Sequence, residues 1–159
     1  ISFAKAFSND SEFLVHDITQ KPLEDSVDLI VSCEVIEHIE PTKVKSYIDN
    51  IHASLNENGL ILLTTPTTNV SVNPKHYQHF TSEIFDKILG EKFTEIEYQY
   101  LNRVNVFSKI LERCLSNRFF ISNSTTLNKL VLNLYRKYLL ISTKNKGSRI
   151  LVTAKKVSF

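Results

Sequence analysis

Val27-Asp28-Leu29-Ile30-Val31-Ser32-Cys33-Glu34-Val35-Ile36-Glu37-His38 is the stretch on which the reading of this chain turns. Its first part is a short run of branched apolar residues, the pattern of a buried strand. Directly after that run come Glu34, Glu37 and His38, two carboxylates and an imidazole within five residues. Such side chains crowded where a strand passes into a loop can hold a divalent cation or move a proton.

The neighbouring segments extend the pattern. Residues 12–17 (EFLVHD) read as another short strand, separated from Val27 by turns at Lys21-Pro22 and at Glu24, Asp25 and Ser26. Beyond His38, Pro41-Thr42 signals a helix start, Val44, Tyr47, Ile48, Ile51 and Leu55 recur at helical spacing, and Asn58-Gly59 marks the end. Residues 60–66 (LILLTTP) are continuously hydrophobic, as in a parallel strand covered on both faces. A polar loop at 67–80 follows, and then Thr81 or Ser82 caps a helix through Ile84, Phe85, Ile88 and Leu89 to Gly90. Residues 93–101 and 148–157 read as two more strands, alternating through Ile96, Tyr98 and Tyr100 and through Ile150, Val152 and Ala154. Strand and helix in alternation predict an α/β fold with a doubly wound sheet.

Between those last strands, residues 102–147 form an insertion of two amphipathic helices. One uses Phe107, Ile110, Leu111, Cys114 and Leu115, the other Leu127, Leu130, Val131, Leu134 and Tyr138. Insertions of this kind in α/β enzymes commonly shape a site near the strand ends.

Composition narrows the class. With 159 residues, 42% of them hydrophobic, the chain is long enough for one core. No leader-like pattern opens it, because Lys5 and the polar run at 8–12 interrupt the first apolar residues, and no apolar run reaches the roughly 20 residues of a spanning helix. Cys33 and Cys114 lack metal-type spacing and suit a reducing cytoplasm. There is no methionine, and ISFAKAF at 1–7 reads as a helix already under way, so the chain is expected to be a fragment. The net charge of +2 hides a polarity: beyond Leu101 the only acid is Glu112, against twelve bases. That half could meet an anionic partner, whether nucleic acid, lipid headgroup or phosphorylated substrate, or simply face water.

The run from Asp28 to His38, the Gly59 turn and the strand ending Thr64-Thr65-Pro66 together resemble the class I, seven-stranded Rossmann-like S-adenosylmethionine-dependent methyltransferases of the type 11/23 kind. Asp17 before them, His76-Tyr77-Gln78-His79-Phe80-Thr81 after them, and the final strand extend the likeness. The resemblance implies a Rossmann-like doubly wound sheet whose last strand is antiparallel. It implies a single methyltransferase domain over 1–159, with 102–147 inserted, truncated at its N-terminus. The glycine-loop segment is missing: the three glycines are Gly59, Gly90 and Gly147, and none forms such a loop. S-adenosyl-L-methionine is the implied cofactor, with Asp17 accepting from the adenine amino group, Ile18 against the ring, and Cys33 at the methionine part. The implied reaction is direct displacement, for which alignment of donor and acceptor matters most. Oxygen of a small-molecule or lipid-like acceptor is the favoured nucleophile, with His76, His38 and Glu34 as candidate catalytic residues, an imidazole serving as base.

Glu-x-x-Glu-His with a later histidine also resembles the metal site of small-RNA 3'-terminal 2'-O-methyltransferases, and similar motifs occur in quinone-pathway O-methyltransferases. On that likeness Glu34, Glu37, His38 and His76 would hold a divalent metal. Many relatives with Glu-His here carry no known metal, and there these side chains cap the loop or line the substrate pocket. The rival readings are therefore a non-catalytic binding domain of the same fold, and an RNA methyltransferase using the Glu/His site. The plain alternative for His76 and His79 is a surface loop tied down by Tyr77 and Phe80, and His16 and His52 read as structural. A nicotinamide dehydrogenase lacks its glycine fingerprint, and no Ser-His-Asp set, phosphate loop or zinc-type cysteine cluster supports a hydrolase or kinase.

Overall fold

The branched run at the centre of the decisive stretch is a strand, β1 (Val27–Cys33). It is followed by helix α1 (Val44–Ala53), strand β2 (Leu55–Pro66), helix α2 (Ser82–Leu89) and strand β3 (Phe93–Arg103). Helices α3 (Val106–Leu115) and α4 (Thr125–Tyr138) and strands β4 (Ile141–Ser142) and β5 (Gly147–Lys156) complete the order. The computed structural model describes residues 5–6, 8, 10–115 and 124–157. The helix expected at 1–7 falls largely outside them, as do Arg118 and the side chains of Cys114 and Leu115.

The five strands form one sheet in the order β1-β2-β5-β3-β4. β1 and β2 are parallel, as a strand–helix–strand unit requires, and β5 runs antiparallel between β2 and β3. This is the Rossmann-like α/β sheet with an antiparallel final long strand. Its core lies between one face of the sheet and helices α1 and α2. Ile61 and Leu63 of β2 and Ile150, Val152 and Ala154 of β5 meet Tyr47, Ile48 and Ile51 of α1 and Phe85 and Leu89 of α2, all buried. The two-residue period of the strands turns the intervening side chains the other way. Leu29, Val31 and Leu60 consequently stand exposed on the opposite face, where the continuous apolar run had suggested cover.

Three boundaries differ from expectation. Residues 12–17 are not a strand: Leu14 and Val15 are exposed, and no sheet pairing involves this segment. A short apolar run becomes a strand only when a neighbouring edge takes its backbone hydrogen bonds. α1 ends at Ala53 rather than near Asn58-Gly59, because buried Ser54 redirects the chain. The Ser54 hydroxyl donates to the Asn50 carbonyl and accepts from the Leu23 amide, and its own carbonyl accepts from the Val27 amide that opens β1. Asn58 and Gly59 instead make an irregularity inside β2, with Asn58 at φ 62° and Gly59 too close to the Asn56 carbonyl oxygen, 2.9 Å from a notional Cβ, to carry a side chain. Finally, the insertion contains the short edge strand β4, which pairs antiparallel with β3 at Tyr100 and Leu101.

α3 and α4 stand where the spacing predicted them. α4 is tied to the end of β3 by the Tyr135 hydroxyl, which donates to Asn102, and by buried Leu139. The outward side chains include Phe107, Ile110, Leu127 and Leu130, all exposed. Among the described residues no helix is long and apolar enough to cross a membrane.

His52, on α1, packs edge-on against Phe93 at 5.5 Å. Burial holds its imidazole below the usual 6.5, helped by Lys156 and Lys92. With the folded-state value depressed, the unfolded chain takes up the proton first as the pH falls, so stability is present above 6.5 and lost below it. Urea unfolding at about pH 7.5 and about pH 5.5 should show a smaller loss in His52→Gln than in the parent. Equal losses would remove His52 from the pH response.

Candidate functional site

The ends of β1 and β2 lie beside the start of β5: Cys33 is opposite Thr64, and Pro66 opposite Arg149. Ligands of open α/β sheets bind at this carboxyl edge of the parallel strands. Glu34, the first residue past β1, adopts a left-handed backbone at φ 55°, a conformation that costs a residue with a Cβ about 1 kcal/mol or more. Its amide donates to the Thr64 carbonyl at 2.8 Å, and its carboxylate accepts from Thr64 Oγ1 at 3.3 Å and from Arg149 Nε at 3.0 Å. That reversal turns the chain into a single 3-10 turn, Ile36–His38, and points Glu37 inward.

Glu37 is 1% exposed. Its Oε2 accepts from Thr65 Oγ1 at 3.0 Å, while its Oε1 is buried without a hydrogen-bond partner among the described residues. A buried carboxylate oxygen left this way is costly unless something else approaches it. Two imidazoles do stand close: Glu37, His38 and His76 each offer a ligand atom, and these atoms all lie within 4.8 Å of one another. The rings of His38 and His76 meet edge-on at 4.6 Å.

Hydrogen-bond partners assign the tautomers of the neutral rings. A carbonyl oxygen can only accept, so His38 donates from Nδ1 to Lys75 O at 3.0 Å, and His79 from Nδ1 to Thr67 O at 3.0 Å. The Nε2 of His79 is then an acceptor and takes a proton bond from His76 Nδ1 at 3.1 Å. Both His38 and His76 are left with a lone pair on Nε2. Ring nitrogens oriented from behind in this fashion are the usual arrangement of histidines that bind a metal or take a proton.

The loop that brings His76 here is more than a polar connection. His79 and Phe80 are buried, Phe80 stacks on Phe85 at 5.2 Å, and the Tyr77 amide donates to the Glu37 carbonyl. Beneath the cluster, Tyr47 shares a buried 2.5 Å hydrogen bond with Ser32. Burial pushes its phenol up, the Ser32 bond opposes this, and the Glu37 charge adds to it.

Of the four expected metal ligands the structure thus brings together Glu37, His38 and His76, while Glu34 faces Arg149 and Thr64. Cys33 is exposed at the end of β1. Asp17 sits in a turn, its carboxylate accepting from the Thr19 amide and hydroxyl and from Gln20, which together hold it below the usual carboxylate range. Ile18 packs against the core, and its carbonyl accepts from Asn50. Two participants escaped the sequence reading. His79 was visible only as a histidine three residues from His76, and Arg149 becomes relevant only through the register that sets it opposite Pro66.

A family profile described as a methyltransferase domain matches residues 3–118. The chain belongs to that family. Solved structures of methyltransferases share the Rossmann-like fold of this methyltransferase domain. An S-adenosylmethionine-dependent methyltransferase from Archaeoglobus fulgidus superposes with a TM-score of 0.62 at 13% identity, covering 98% of this chain and 72% of that one. The N-methyltransferase NodS from Bradyrhizobium japonicum, in complex with S-adenosyl-L-homocysteine, gives 0.52 at 18% identity over 90% of this chain and 53% of its own. Phosphoethanolamine N-methyltransferase 2 from Haemonchus contortus, in complex with S-adenosyl-L-methionine, gives 0.56 at 15% identity over 89% and 36%. The methyltransferase domain described here therefore spans about half of NodS and about a third of the Haemonchus enzyme. No curated protein sequence matches it.

Proposed function

We propose that this methyltransferase domain passes the methyl group of S-adenosyl-L-methionine to a hydroxyl of a small-molecule or lipid-like acceptor, with Glu37, His38 and His76 on the acceptor side. The observation that carries the reading is their convergence at the strand ends, with the Nδ1 of each imidazole held from behind and neither Nε2 bonded among the described residues. A hydroxyl must lose its proton as its oxygen bonds the methyl carbon and the carbon–sulfur pair leaves with sulfur. His76 Nε2 takes that proton, and His79 steadies the ring that carries it. An amine with a free lone pair has no comparable need, so such a cluster favours oxygen. The same three residues fit a divalent cation, since buried Oε1 of Glu37 lacks a partner and both imidazoles are anchored from behind. Such an ion would supply Lewis-acid polarisation of the acceptor hydroxyl.

The residues described here do not by themselves cradle the adenosine half of the cofactor. Gly59 lies within β2, Gly90 follows α2 and Gly147 opens β5, so none supplies a glycine loop between a strand and a helix. On our reading Asp17, Ile18 and Cys33 keep the adenine and methionine contacts. Residues 102–147 are then an insertion within that one domain.

The test is transfer of tritiated methyl from S-adenosylmethionine by the full chain to a phenol and to the aniline of the same ring. Label on the phenol is expected. Label confined to the aniline would overturn oxygen as the acceptor.

A further inference from the structure

The insertion stands beside the strand ends and leaves a half-open cavity of about 550 Å³ between them. The ends of β2 and β3 and the start of β5 form one side, and α3 and α4 form the other. That volume suits a small organic molecule. Among the described residues its charge has one sign: Arg103, Lys109 and Arg149 line it, and no described carboxylate does. Arg149 is already paired with Glu34 at 3.0 Å. Arg103 has no ion pair among the described residues, and its Nε is buried without any hydrogen-bond partner. A guanidinium N–H closed off from water without an acceptor is costly. A carboxylate or phosphate supplies what it lacks, because the guanidinium fork matches two oxygens at once. The remaining wall is largely apolar, with Val104, Leu111 and Leu139 contributing, and the Tyr135 hydroxyl is already committed to Asn102.

We propose that this cavity binds a small amphipathic organic anion, its phosphate or carboxylate on Arg103 with Lys109 adding charge, its apolar body against Leu111 and Leu139. Pro66 and Arg149 carry the cavity to the strand ends, where Glu34 grips Arg149 and Thr65 grips Glu37. The bound anion is then the methyl acceptor, a step that rests on the methyl-transfer reading above. The cavity itself does not depend on it.

Calorimetric titration of the full chain with hexyl phosphate, hexanoate, hexanol and hexylamine, without cofactor, tests the site. Hexyl phosphate and hexanoate should bind about tenfold or more tightly than hexanol, with no binding of hexylamine, since hydrogen bonds to a charged group carry that much discrimination. Arg103→Gln should weaken hexyl phosphate about tenfold or more, and Lys129→Gln, on α4 but outside the lining, should leave it unchanged. Lys109→Gln, on the exposed surface of α3, should also weaken it and serves if Arg103→Gln unfolds. Equal affinities for hexanol and hexyl phosphate would overturn the proposal. So would binding confined to anionic phosphatidate vesicles and weakened by Lys129→Gln, which would make the basic face of α4 a lipid surface instead. Hexyl phosphate bound in the cavity alongside a failed phenol assay would sink methyl transfer to oxygen and keep the anion site. Label transferred equally to neutral and anionic phenols would keep the transfer and sink the anion site.

Discussion

Glu37→Gln and His76→Ala each lower methyl transfer by about 10²- to 10⁴-fold, the range a positioned proton-transferring group contributes, and leave binding of S-adenosylhomocysteine within about twofold. Glutamine keeps the volume of Glu37 and can still accept from Thr65 Oγ1, but it sets an amide NH₂ or a neutral oxygen where the buried, unpartnered Oε1 stands. The carboxylate's field on His38 and His76 is lost with little change in packing. Because the three residues act as a unit, the double variant should be scarcely slower than the worse single one. Circular dichroism and urea unfolding confirm that each variant is folded before its rate is read. The response to chelator separates the two chemistries of the site. Activity lost to a chelator and restored by added divalent metal marks a bound ion, whereas a chelator-insensitive rate that rises through the range where imidazoles titrate marks a base. Parent-like rates in both variants would take the cluster out of the reaction.

Phe85→Ala lowers the unfolding free energy by about 3–5 kcal/mol, the usual cost of truncating a fully buried aromatic side chain. Phe85 lies at the centre of α2, wholly buried, with Phe80 stacked on it at 5.2 Å and an interplanar angle of 28°. Total stabilities of such domains run to about 5–15 kcal/mol, so this one truncation removes a large share. Urea denaturation reads it directly, with Lys87→Ala on the exposed side of α2 as the control, expected within about 0.5 kcal/mol of the parent. The effect reaches the site as well. Phe80 pairs with Thr67 in a bridge, and its amide donates to the Pro66 carbonyl, so it anchors the loop that carries His76 and His79. Loss of its stacking partner should loosen that loop and weaken activity at temperatures where the variant is still folded. A cost below about 1 kcal/mol would mean that α2 is not part of the core.

Much of the fold was legible because it rests on local periodicity. The strand at Val27–Cys33, the α1 stripe of Val44, Tyr47, Ile48 and Ile51, the α2 stripe of Phe85 and Leu89, and the inward alternation of Ile150, Val152 and Ala154 all lie where their spacing places them. Burial of those positions is what the spacing encodes. Segment 12–17 misled because its run of apolar residues is as compatible with a strand as that of β1, and only a partner edge decides. Asn58-Gly59 misled because the same dipeptide that stops a helix also makes a kink in a strand, and Ser54 had already ended α1 through bonds to Asn50, Leu23 and Val27 that lie outside the reach of local pattern.

The sequence by itself determined which side chains could do chemistry at a strand end. Glu34, Glu37 and His38 follow β1 directly, and chain geometry alone keeps them near it. The tertiary structure decided which of them work together. Glu34 and Glu37 differ by three positions, yet the left-handed turn at Glu34 sends one carboxylate to Arg149 and the other into the core beside His76, some forty residues away. His79 has its part because Phe80 packs on Phe85, and the Arg103 Nε is enclosed without an acceptor among the described residues because α3 and α4 stand beside the end of β3. Periodicity is a property of neighbours along the chain, whereas the environment of a charge is set by whatever the folded chain brings within a few ångströms of it.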